Sequence, residues 1–311
     1  MKSTVTGGAG FIGSHLIDLL AKRGHEITVL DNLSTGSMKN LAGHDRDRVR
    51  VIRGDLRRYS DVHRVIAGTD NVFHLGACVG RSIFFPRLDF DTNALGTLNV
   101  LRACRSANVD RVVVASSVMV YGDLGRKGIA KESERLSPII PYGASKAAAE
   151  AYAMAFHHAW NIPAVVLRYF NVYGPRADPR NPYSGVVSRF LGRARRRLPP
   201  IVYGDGKQTR DFIYVKDVAK ATLLAAERKA AVGEILNVGS GSETTINELA
   251  SLVIDVAGLG ELEPRHAAAR MHEYRRLHAD MTKTRKVLGF KADTSLRKGL
   301  KLTWESLGPA D

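Results

Sequence analysis

A tyrosine and a lysine near the middle of the chain have the types and the spacing of a proton-transfer pair. Tyr142 and Lys146 lie four residues apart at the start of a predicted helix, so both side chains lie on one helix face, a turn apart. A free tyrosine has a pKa of about 10, which is too high for a base at neutral pH. Because a nearby ammonium group favours the phenolate, we predict that Tyr142 is a general base and that Lys146 tunes it.

A serine at the end of a predicted strand completes this pair. The strand is predicted over Arg111–Ser116, and Ser117 follows at its carboxyl end, where ligands bind in open α/β sheets. Its hydroxyl can bridge a substrate hydroxyl and Tyr142 and so relay the proton. Together, Ser117, Tyr142 and Lys146 predict an oxidoreductase-type catalytic site.

A glycine-rich turn near the N-terminus predicts the site of a dinucleotide. Gly7-Gly8-Ala9-Gly10-Phe11-Ile12-Gly13 follows a short strand and opens the predicted helix Ser14–Arg23, which is the context that a dinucleotide motif requires. Glycines allow the backbone to approach a pyrophosphate, and the helix N-terminus supplies free N–H groups. The next strand ends in Asp31, where a carboxylate would bind the adenosine ribose diol and repel a 2′-phosphate. Asn32 follows it instead of an arginine, so NAD is favoured over NADP.

Two further strand ends fit the same cofactor. Asp55 follows the third predicted strand and could accept a hydrogen bond from the adenine amino group, although an ordinary turn aspartate is the alternative interpretation. The fourth strand ends in Leu75-Gly76-Ala77, whose small residues would let a coenzyme lie against the backbone.

The elements around these residues alternate between strands and helices, which predicts a parallel, doubly wound sheet of the Rossmann type. The predicted strands are Ser3–Thr6, Glu26–Asp31, Arg50–Arg53, Asn71–Leu75, Arg111–Ser116 and Ala164–Tyr169. The predicted helices between them are Ser14–Arg23, Asp91–Ala107 and Ala144–Trp160.

The rhythm changes after Pro175, and the rest of the chain is predicted to form a smaller, interleaved C-terminal substrate lobe. We expect a NAD-binding domain at residues 1–174 with returning segments at about 211–240, and the substrate lobe at residues 175–210 and 241–311. The returning strands, expected to join the main sheet, are Asp211–Val215 and Glu234–Val238. The lobe's predicted helices are one that Thr245 and Glu248 open as a capping box and that runs to about Ala257, Thr282–Leu288 and Leu296–Trp304.

Composition bounds the class of protein. The 311 residues are 44% hydrophobic and 25% charged, which are ordinary globular values. No apolar run approaches the roughly 20 residues that span a bilayer. The predicted first strand leaves no room for a signal peptide. Cys78 and Cys104 have no metal-ligand spacing. These features predict a cytoplasmic protein with no membrane partner.

The net charge of +15 is the unusual value. It raises the possibility of a polyanionic partner, with arginines concentrated around residues 193–197 and 270–276. The positive charge is nevertheless spread along the chain, and no aromatic and basic nucleic-acid module accompanies it. We therefore expect no nucleic-acid partner, and an anionic small-molecule substrate would suit part of the charge.

Taken together, these motifs resemble the nucleotide-sugar epimerase/dehydratase family of the extended short-chain dehydrogenases/reductases, and most of all its UDP-glucose 4-epimerase branch. The likeness runs from Thr6-Gly7-Gly8-Ala9-Gly10-Phe11-Ile12-Gly13 to Ala279-Asp280. It implies a bound NAD, a nucleotide-sugar substrate and a homodimer formed through the helices that follow Asn93 and Tyr142. In the NAD site the resemblance implies that Asn93 supports the nicotinamide half and that Tyr169 lines the cofactor.

The resemblance also assigns residues of the substrate site. Asn171, Arg210 and Arg270 would contact the diphosphate, and Tyr203 lies in the matching substrate-binding stretch. The complete set of predicted cofactor residues is Gly7, Gly10, Phe11, Ile12, Gly13, Asp31, Asn32, Ser34, Gly36, Asp55, Leu56, Leu75, Gly76, Ala77, Asn93, Ser116, Tyr142, Lys146 and Tyr169. The predicted substrate residues are Ser117, Asn171, Val187, Tyr203, Arg210 and Arg270.

The residues after Ser117 bear on the reaction. Related dehydratases carry Asp-Glu directly after the Ser/Thr, and related decarboxylases tend to carry a Glu in this stretch. Val118 and Met119 stand here and cannot transfer protons, which favours 4-epimerisation. A 4,6-dehydratase or decarboxylase of the same family is the alternative, and a non-catalytic dinucleotide-binding regulatory protein is a second one.

Three segments depart from the family pattern. The segment from Cys78 to Pro86 is shorter than usual, and Arg270-Met271-His272-Glu273 replaces Arg-Pro-Gly-Asp. Leu277 occupies the position of a residue thought to gate access for N-acetylated sugars. It is smaller than the tyrosine of some relatives, so an N-acetylhexosamine substrate stays open.

Overall fold

The computed structural model describes residues 1–79, 84–125, 128–178, 185–270 and 274–308. Its strands are β1 (Lys2–Thr6), β2 (Glu26–Asp31), β3 (Val49–Arg53), β4 (Asn71–His74), β5 (Arg111–Ser117), β6 (Ile129–Ala130), β7 (Ala164–Tyr169), β8 (Asn171–Tyr173), β9 (Ile201–Tyr203), β10 (Thr209–Arg210), β11 (Phe212–Tyr214), β12 (Ile235–Val238), β13 (Thr244–Thr245), β14 (Arg265–Ala267) and β15 (His278–Ala279). Its α-helices are α1 (Phe11–Lys22), α2 (Tyr59–Ile66), α3 (Pro86–Asp89), α4 (Gly96–Ala107), α5 (Pro141–Trp160), α6 (Val186–Arg195), α7 (Val215–Glu227), α8 (Ile246–Val256), α9 (Thr282–Leu288) and α10 (Leu296–Ser306).

Seven of these strands form one parallel sheet in the order β3-β2-β1-β4-β5-β7-β12. The order reverses between β1 and β4, which is the switch point where doubly wound sheets bind ligands. Strands such as Val112-Val113-Val114 are continuous apolar runs because both faces of the sheet are covered. The predicted Rossmann-type α/β fold is confirmed.

Helices cover both faces of this sheet. On one face α1 packs with α7, and their buried residues, including Leu16 and Val218, share a core with Val5 of β1. On the other face α2, α4 and α5 pack in a row over a second core that includes Leu101 and Ala153. The helices thereby hold the carboxyl ends of the strands at one open edge.

One expected strand lies elsewhere. The segment predicted as Asp211–Val215 does not return to the main sheet, since β11 pairs in parallel with β8 as a separate two-stranded sheet. That prediction was wrong because short apolar runs do not specify which strand they pair with. The other expected return is confirmed, since β12 pairs with β7 at the edge of the main sheet.

A third apolar core lies in the C-terminal part of the chain. Its residues come largely from α6, α8 and α10, and they include Val187, Phe190, Leu249 and Leu300. The helix α8 begins with the predicted capping box. The Thr245 hydroxyl accepts from the backbone N–H of Glu248, and the Glu248 side chain accepts from the backbone N–H of Thr245. Of the predicted substrate residues, Val187 lies in α6, and Asn171 and Tyr203 lie in the strands β8 and β9 that flank it.

Two helices begin earlier than predicted, and both extend to catalytic or binding residues. Helix α5 begins at Pro141, because proline suits the first helical position, and its first turn therefore contains Tyr142. Helix α1 begins at Phe11, directly after the extended Gly10. In the part of the chain that the structure describes, no helix is long and apolar enough to cross a membrane.

Candidate active site

The three predicted catalytic residues meet where β5 ends against the start of α5. The Tyr142 side chain lies near Ser117, whose hydroxyl lowers the pKa of the tyrosine. The Ser117 hydroxyl oxygen also accepts the backbone N–H of Met119 at 3.2 Å. Lys146 Nζ donates to the backbone oxygen of Ala115 at 2.7 Å. The structure therefore brings together a hydroxyl relay, a phenol and a buried ammonium group.

Burial sets the charge state of this group at rest. It raises the pKa of Tyr142 to about 12, against the effect of the Ser117 side chain, and the charge of Asp89 raises it further. Burial also lowers the pKa of Lys146 to about 8, against the charge of Glu150. Ser117 is the neighbour that lowers the Tyr142 pKa, and the tuning of Tyr142 by Lys146 stays a prediction. The resting tyrosine is therefore a neutral phenol.

The glycine turn forms a cradle that leaves backbone N–H groups accessible. Gly7 has φ +68°, and a Cβ there would lie 2.7 Å from the backbone of Gly76. A Cβ on Gly13 would lie 2.3 Å from the Gly7 carbonyl oxygen. Gly10 is the N-cap residue of α1, and it has no side chain that could accept from the first N–H groups of the helix. The first N–H groups of α1 can therefore bind a pyrophosphate, and the turn fits a dinucleotide.

The Asp31 carboxylate lies at the end of β2 beside this turn. Its Oδ2 accepts the N–H of Ala9 at 3.0 Å, and its Oδ1 accepts the N–H of Leu33 at 2.8 Å. Burial raises the pKa of Asp31, and both hydrogen bonds oppose that effect. The next residue, Asn32, accepts the N–H of Ser34 at 3.0 Å. The carboxylate is thus held at the end of β2 by backbone N–H groups from the glycine turn and from the segment after β2.

The other predicted residues of the dinucleotide site lie around the same sheet edge. Asp55 is bound by Arg57 through Nε at 2.9 Å and Nη2 at 2.6 Å, so an adenine amino group would share its carboxylate with an arginine. That contact lowers the pKa of Asp55. The structure places Phe11 and Ile12 in the first turn of α1, Gly36 against Asp31, Leu56 against Gly76, and Leu75 and Ala77 on either side of Gly76.

Asn93 joins the segment after β4 to the first turn of α5. It lies in the π-helical turn Phe90–Leu95 and is fully buried. Its Oδ1 accepts the Cys78 N–H at 2.8 Å, while its Nδ2 donates to the Cys78 carbonyl oxygen at 3.0 Å and to Ser145 Oγ at 2.9 Å. Asn93 therefore joins the segment after β4 to Ser145, which lies three residues after Tyr142 and donates to the Tyr142 carbonyl oxygen.

Two predicted cofactor residues use their hydroxyls inside the fold. The Tyr169 hydroxyl is hydrogen-bonded to Thr222 Oγ1 of α7 at 2.7 Å, and burial raises its pKa. The Ser116 hydroxyl donates to Glu150. We therefore expect the ring of Tyr169 and the backbone of Ser116, rather than their hydroxyls, to contact a ligand.

The predicted diphosphate residues lie next to β11. Arg210 is buried, and its Nη1 donates to the carbonyl oxygen of Tyr274 at 2.9 Å. Its guanidinium carbon lies 5.1 Å from the centre of the Tyr274 ring. Asn171 Nδ2 donates to the backbone oxygen of Asp211 at 3.0 Å. These contacts fix both side chains before any substrate binds.

A second arginine lies over Tyr203, a predicted substrate residue. The exposed Arg270 has its guanidinium carbon 3.8 Å from the centre of the Tyr203 ring, and its hydrogen bond lowers the pKa of that tyrosine. Val187, another predicted substrate residue, is buried in α6. Leu277 is fully buried in the core shared with Leu16. The departures predicted at residues 80–83 and 271–273 lie outside the described residues.

Sequence reasoning missed two residues of this site. Tyr274 donates its hydroxyl to the thioether of Met119, and so connects the end of β5 with Arg210. No local pattern could have indicated a contact across that sequence distance. Glu150 could have been found, since it continues the helix face of Tyr142 and Lys146 by one more turn.

Comparison with known proteins agrees with this geometry. A profile of the NAD dependent epimerase/dehydratase family matches residues 3–239. A UDP-glucose 4-epimerase of Mycolicibacterium smegmatis is 34% identical, covering 98% of each chain. A UDP-N-acetyl-alpha-D-glucosaminuronate decarboxylase of Bacillus cytotoxicus is 33% identical, covering 96% of this chain and 95% of the relative.

A solved structure is similar over its whole length. The UDP-N-acetylglucosamine 4-epimerase of Methanobrevibacter ruminantium M1, in complex with UDP-N-acetylmuramic acid, superimposes with a TM-score of 0.92 at 35% identity, covering 98% of this chain and 97% of that one. The family's dependence on NAD confirms the predicted cofactor. By its matched length and its relatives, the chain belongs to the NAD-dependent epimerase/dehydratase family of extended short-chain dehydrogenases/reductases.

Proposed function

We propose that the chain catalyses the reversible 4-epimerisation of a UDP-hexose, either UDP-glucose and UDP-galactose or their N-acetylhexosamine equivalents. The observation that carries this proposal is the contact group of Ser117, Tyr142 and Lys146, followed by Val118 and Met119. The three residues can move a proton at the sugar 4-hydroxyl. Val118 and Met119 are apolar and provide no acid or base for a further elimination. The names of the M. smegmatis and M. ruminantium relatives support the same reaction.

The roles of the catalytic residues follow from their contacts. Tyr142 would accept the proton of the 4-hydroxyl through Ser117 and return it when the 4-keto sugar is reduced. When bound, NAD supplies the hydride acceptor and donor for C4 of the sugar, and its positive charge favours the phenolate. Lys146 holds a positive charge at the same place and can bind the ribose hydroxyls of the cofactor.

The residues that would hold NAD fit a cofactor kept through the reaction. The uncapped N-terminus of α1 would bind the pyrophosphate, and Asp31 would bind the adenosine ribose. The reaction consumes no external reductant or oxidant, since the hydride that leaves C4 returns to C4. We therefore propose that NAD is a resident catalyst here.

The substrate would span the space between Arg210 and Ser117. Arg210, Arg270 and Asn171 would bind its diphosphate, because guanidinium groups recognise phosphate oxygens in two-point contacts. The hexose must then reach from Arg210 to the catalytic hydroxyls. Tyr274 touches both ends of that path, with its carbonyl on Arg210 and its hydroxyl on Met119. We propose that its ring lines the sugar subsite.

The second candidate reaction is decarboxylation of a UDP-hexuronic acid. The similarity to the B. cytotoxicus decarboxylase favours it, since that relative covers nearly the whole chain. Both reactions begin with the same oxidation at C4, so the shared site does not separate them. The product's mass does, because only decarboxylation releases carbon dioxide.

The test is to incubate the protein with a panel of UDP-, GDP- and dTDP-sugars, to separate the products by chromatography and to measure their masses by mass spectrometry. We expect a mass-neutral conversion of a UDP-hexose. Loss of water or of carbon dioxide would indicate a dehydratase or a decarboxylase. Tyr142→Phe should lower turnover by about 100-fold or more. If no nucleotide sugar reacts and Tyr142→Phe behaves as the wild type, the chain is a non-catalytic dinucleotide-binding protein.

We also propose that two copies associate through α4 and α5. These helices pack side by side on one face of the sheet, and α5 exposes Tyr152 and Trp160, with 43% and 45% of their surface accessible. Large exposed side chains on paired helices suit a four-helix contact between subunits. Light scattering should give the mass of a dimer for the wild type and of a monomer for Tyr152→Glu. A monomeric wild type would contradict the proposal.

A further inference from the structure

Three residues of α5, spaced one helical turn apart, lie against three consecutive residues at the end of β5. Two of these contacts belong to the catalytic group already described. The third is the hydrogen bond from Ser116 to Glu150. The three pairs are Tyr142 with Ser117, Lys146 with Ala115 and Glu150 with Ser116. Consecutive turns of helix α5 therefore contact consecutive residues at the end of β5.

Glu150 is held by a second buried partner from the neighbouring strand. Arg168 of β7 donates through Nε to Oε1 at 2.9 Å and through Nη2 to Oε2 at 2.7 Å. The two side chains are 3% and 2% exposed. Arg168 also lies over the ring of Tyr121 at 4.7 Å and donates to the Glu132 backbone oxygen at 3.2 Å. A two-point contact of this kind fixes the plane of the carboxylate, so Ser116 meets an acceptor that cannot rotate.

Glu150 lies one helical turn after Lys146 in α5, and both side chains are buried. Burial is the main effect on the Lys146 ammonium, and Glu150 is the carboxylate that opposes it. The other titratable groups around the pair are His74 of β4, Tyr142 of α5 and Arg168 of β7. Burial lowers the pKa of His74 to about 3, so this residue is neutral at ordinary pH. His74, Tyr142 and Arg168 therefore carry no negative charge at neutral pH that could stabilise the Lys146 ammonium.

We infer that Glu150 is a positioning residue of the active site: held in place by Arg168, it fixes the end of β5 against α5 through Ser116, one helical turn after Lys146. The inference rests on the proposed function where turnover is concerned. The effect of the Glu150 carboxylate on Lys146 does not depend on which substrate is used.

A double variant separates this role from a merely structural one. Glu150→Leu with Arg168→Met removes both charges and leaves neither ion buried alone, an exchange that proteins often tolerate with little loss of stability. We expect this variant to fold, with turnover lower by about 100-fold because the catalytic groups are no longer held in register. The alkaline limb of its pH profile should move to lower pH by about one unit, since Lys146 loses its supporting carboxylate.

A substrate-free measurement accompanies the kinetics. The titration of Lys146 is followed by NMR of ¹³C-labelled lysine, with Lys146→Met to assign the signal. The midpoint should fall by about one unit in Glu150→Gln, measured in the Arg168→Met background so that Arg168 is not left buried alone; the glutamine keeps the side-chain size and can still accept from Ser116. Ser116→Ala keeps every charge, and should lower kcat by about 10-fold while leaving the Lys146 midpoint unchanged.

The outcomes distinguish this inference from the proposed function. A double variant with wild-type turnover and pH profile, or a Lys146 midpoint that Glu150→Gln does not move, would overturn the positioning role. If the double variant does not fold, Glu150→Gln and Ser116→Ala decide through the same two readouts. If the midpoint moves as expected but the wild type converts no nucleotide sugar, the positioning role stands and the proposed function fails.

Discussion

The buried carboxylate of Asp211 joins the strand next to Arg210 to two segments that are distant in sequence. Its Oδ1 accepts from Ser240 N at 2.7 Å and from Ser240 Oγ at 2.6 Å. Its Oδ2 accepts from Gly241 N at 2.9 Å and from Ala279 N at 3.1 Å. Asp211→Asn keeps the size of the side chain but turns one of these oxygens into an NH₂ donor, so two donors lose their acceptor.

The magnitude follows from that count of hydrogen bonds. Leaving a buried donor without an acceptor costs about 1–3 kcal/mol, so two donors should lower the free energy of unfolding by about 2–6 kcal/mol. Urea unfolding followed by circular dichroism measures this difference, with wild type and variant at the same NAD concentration because bound cofactor adds stability.

A surface aspartate provides the matched control. Asp293 binds Lys220 Nζ at 2.6 Å, but the two side chains are 64% and 49% exposed. Asp293→Asn should therefore change the free energy of unfolding by less than about 1 kcal/mol. If Asp211→Asn costs no more than this control, the carboxylate does not join these segments in the way its hydrogen bonds indicate.

Three further results are expected. Gly13→Ala would place a Cβ 2.3 Å from a carbonyl oxygen of the glycine turn, so the Kd for NAD measured by calorimetry should rise at least about 10-fold. The control is Gly43→Ala, whose Cβ would meet no atom within 4 Å and which should bind NAD as the wild type does. Equal affinities of the two variants would contradict the role of the glycine turn as a cradle for NAD. Burial lowers the pKa of His74 to about 3 in the fold, against about 6.5 in the unfolded chain, so the unfolded chain binds the proton more readily and stability falls as pH drops from 6.5 towards 3. That loss is about 1.4 kcal/mol per pH unit, and urea unfolding between pH 4 and 6 should show a smaller slope for His74→Gln; identical slopes would show that His74 is not buried as a neutral ring. Tyr274→Phe removes the hydroxyl that meets Met119, and should change the ratio of kcat/KM for UDP-glucose and UDP-N-acetylglucosamine by about 10-fold; an unchanged ratio would exclude the hydroxyl from sugar recognition.

Local sequence patterns predicted the parts of this site that depend on strand ends and helical spacing. The glycine turn, Asp31 and Ser117 all lie at the carboxyl ends of parallel strands, and such ends meet at one edge of a sheet by topology alone. The four-residue spacing of Tyr142 and Lys146 placed both on the face of α5 that meets this edge. These residues needed no knowledge of distant contacts.

The remaining contacts depend on tertiary packing that no local pattern encodes. The strand predicted from Asp211 was recognised, but its partner is β8 and not the main sheet, because pairing is decided by what the whole chain buries. The contact of Tyr274 with Met119 spans much of the sequence in the same way. The hydrogen bond from Lys146 Nζ to the Ala115 carbonyl oxygen is likewise a tertiary contact that the four-residue spacing does not indicate.

In the proposed reaction, the hydride taken from C4 of the sugar returns to C4. UDP-glucose carrying deuterium at C4 is incubated with the protein in ordinary water without added NAD, and the product is analysed by mass spectrometry and NMR. Epimerisation predicts a product of unchanged mass, inverted at C4, with the deuterium still on that carbon. A product lighter by water with the label at C6, or a product of any kind that has lost the label to solvent, would contradict it.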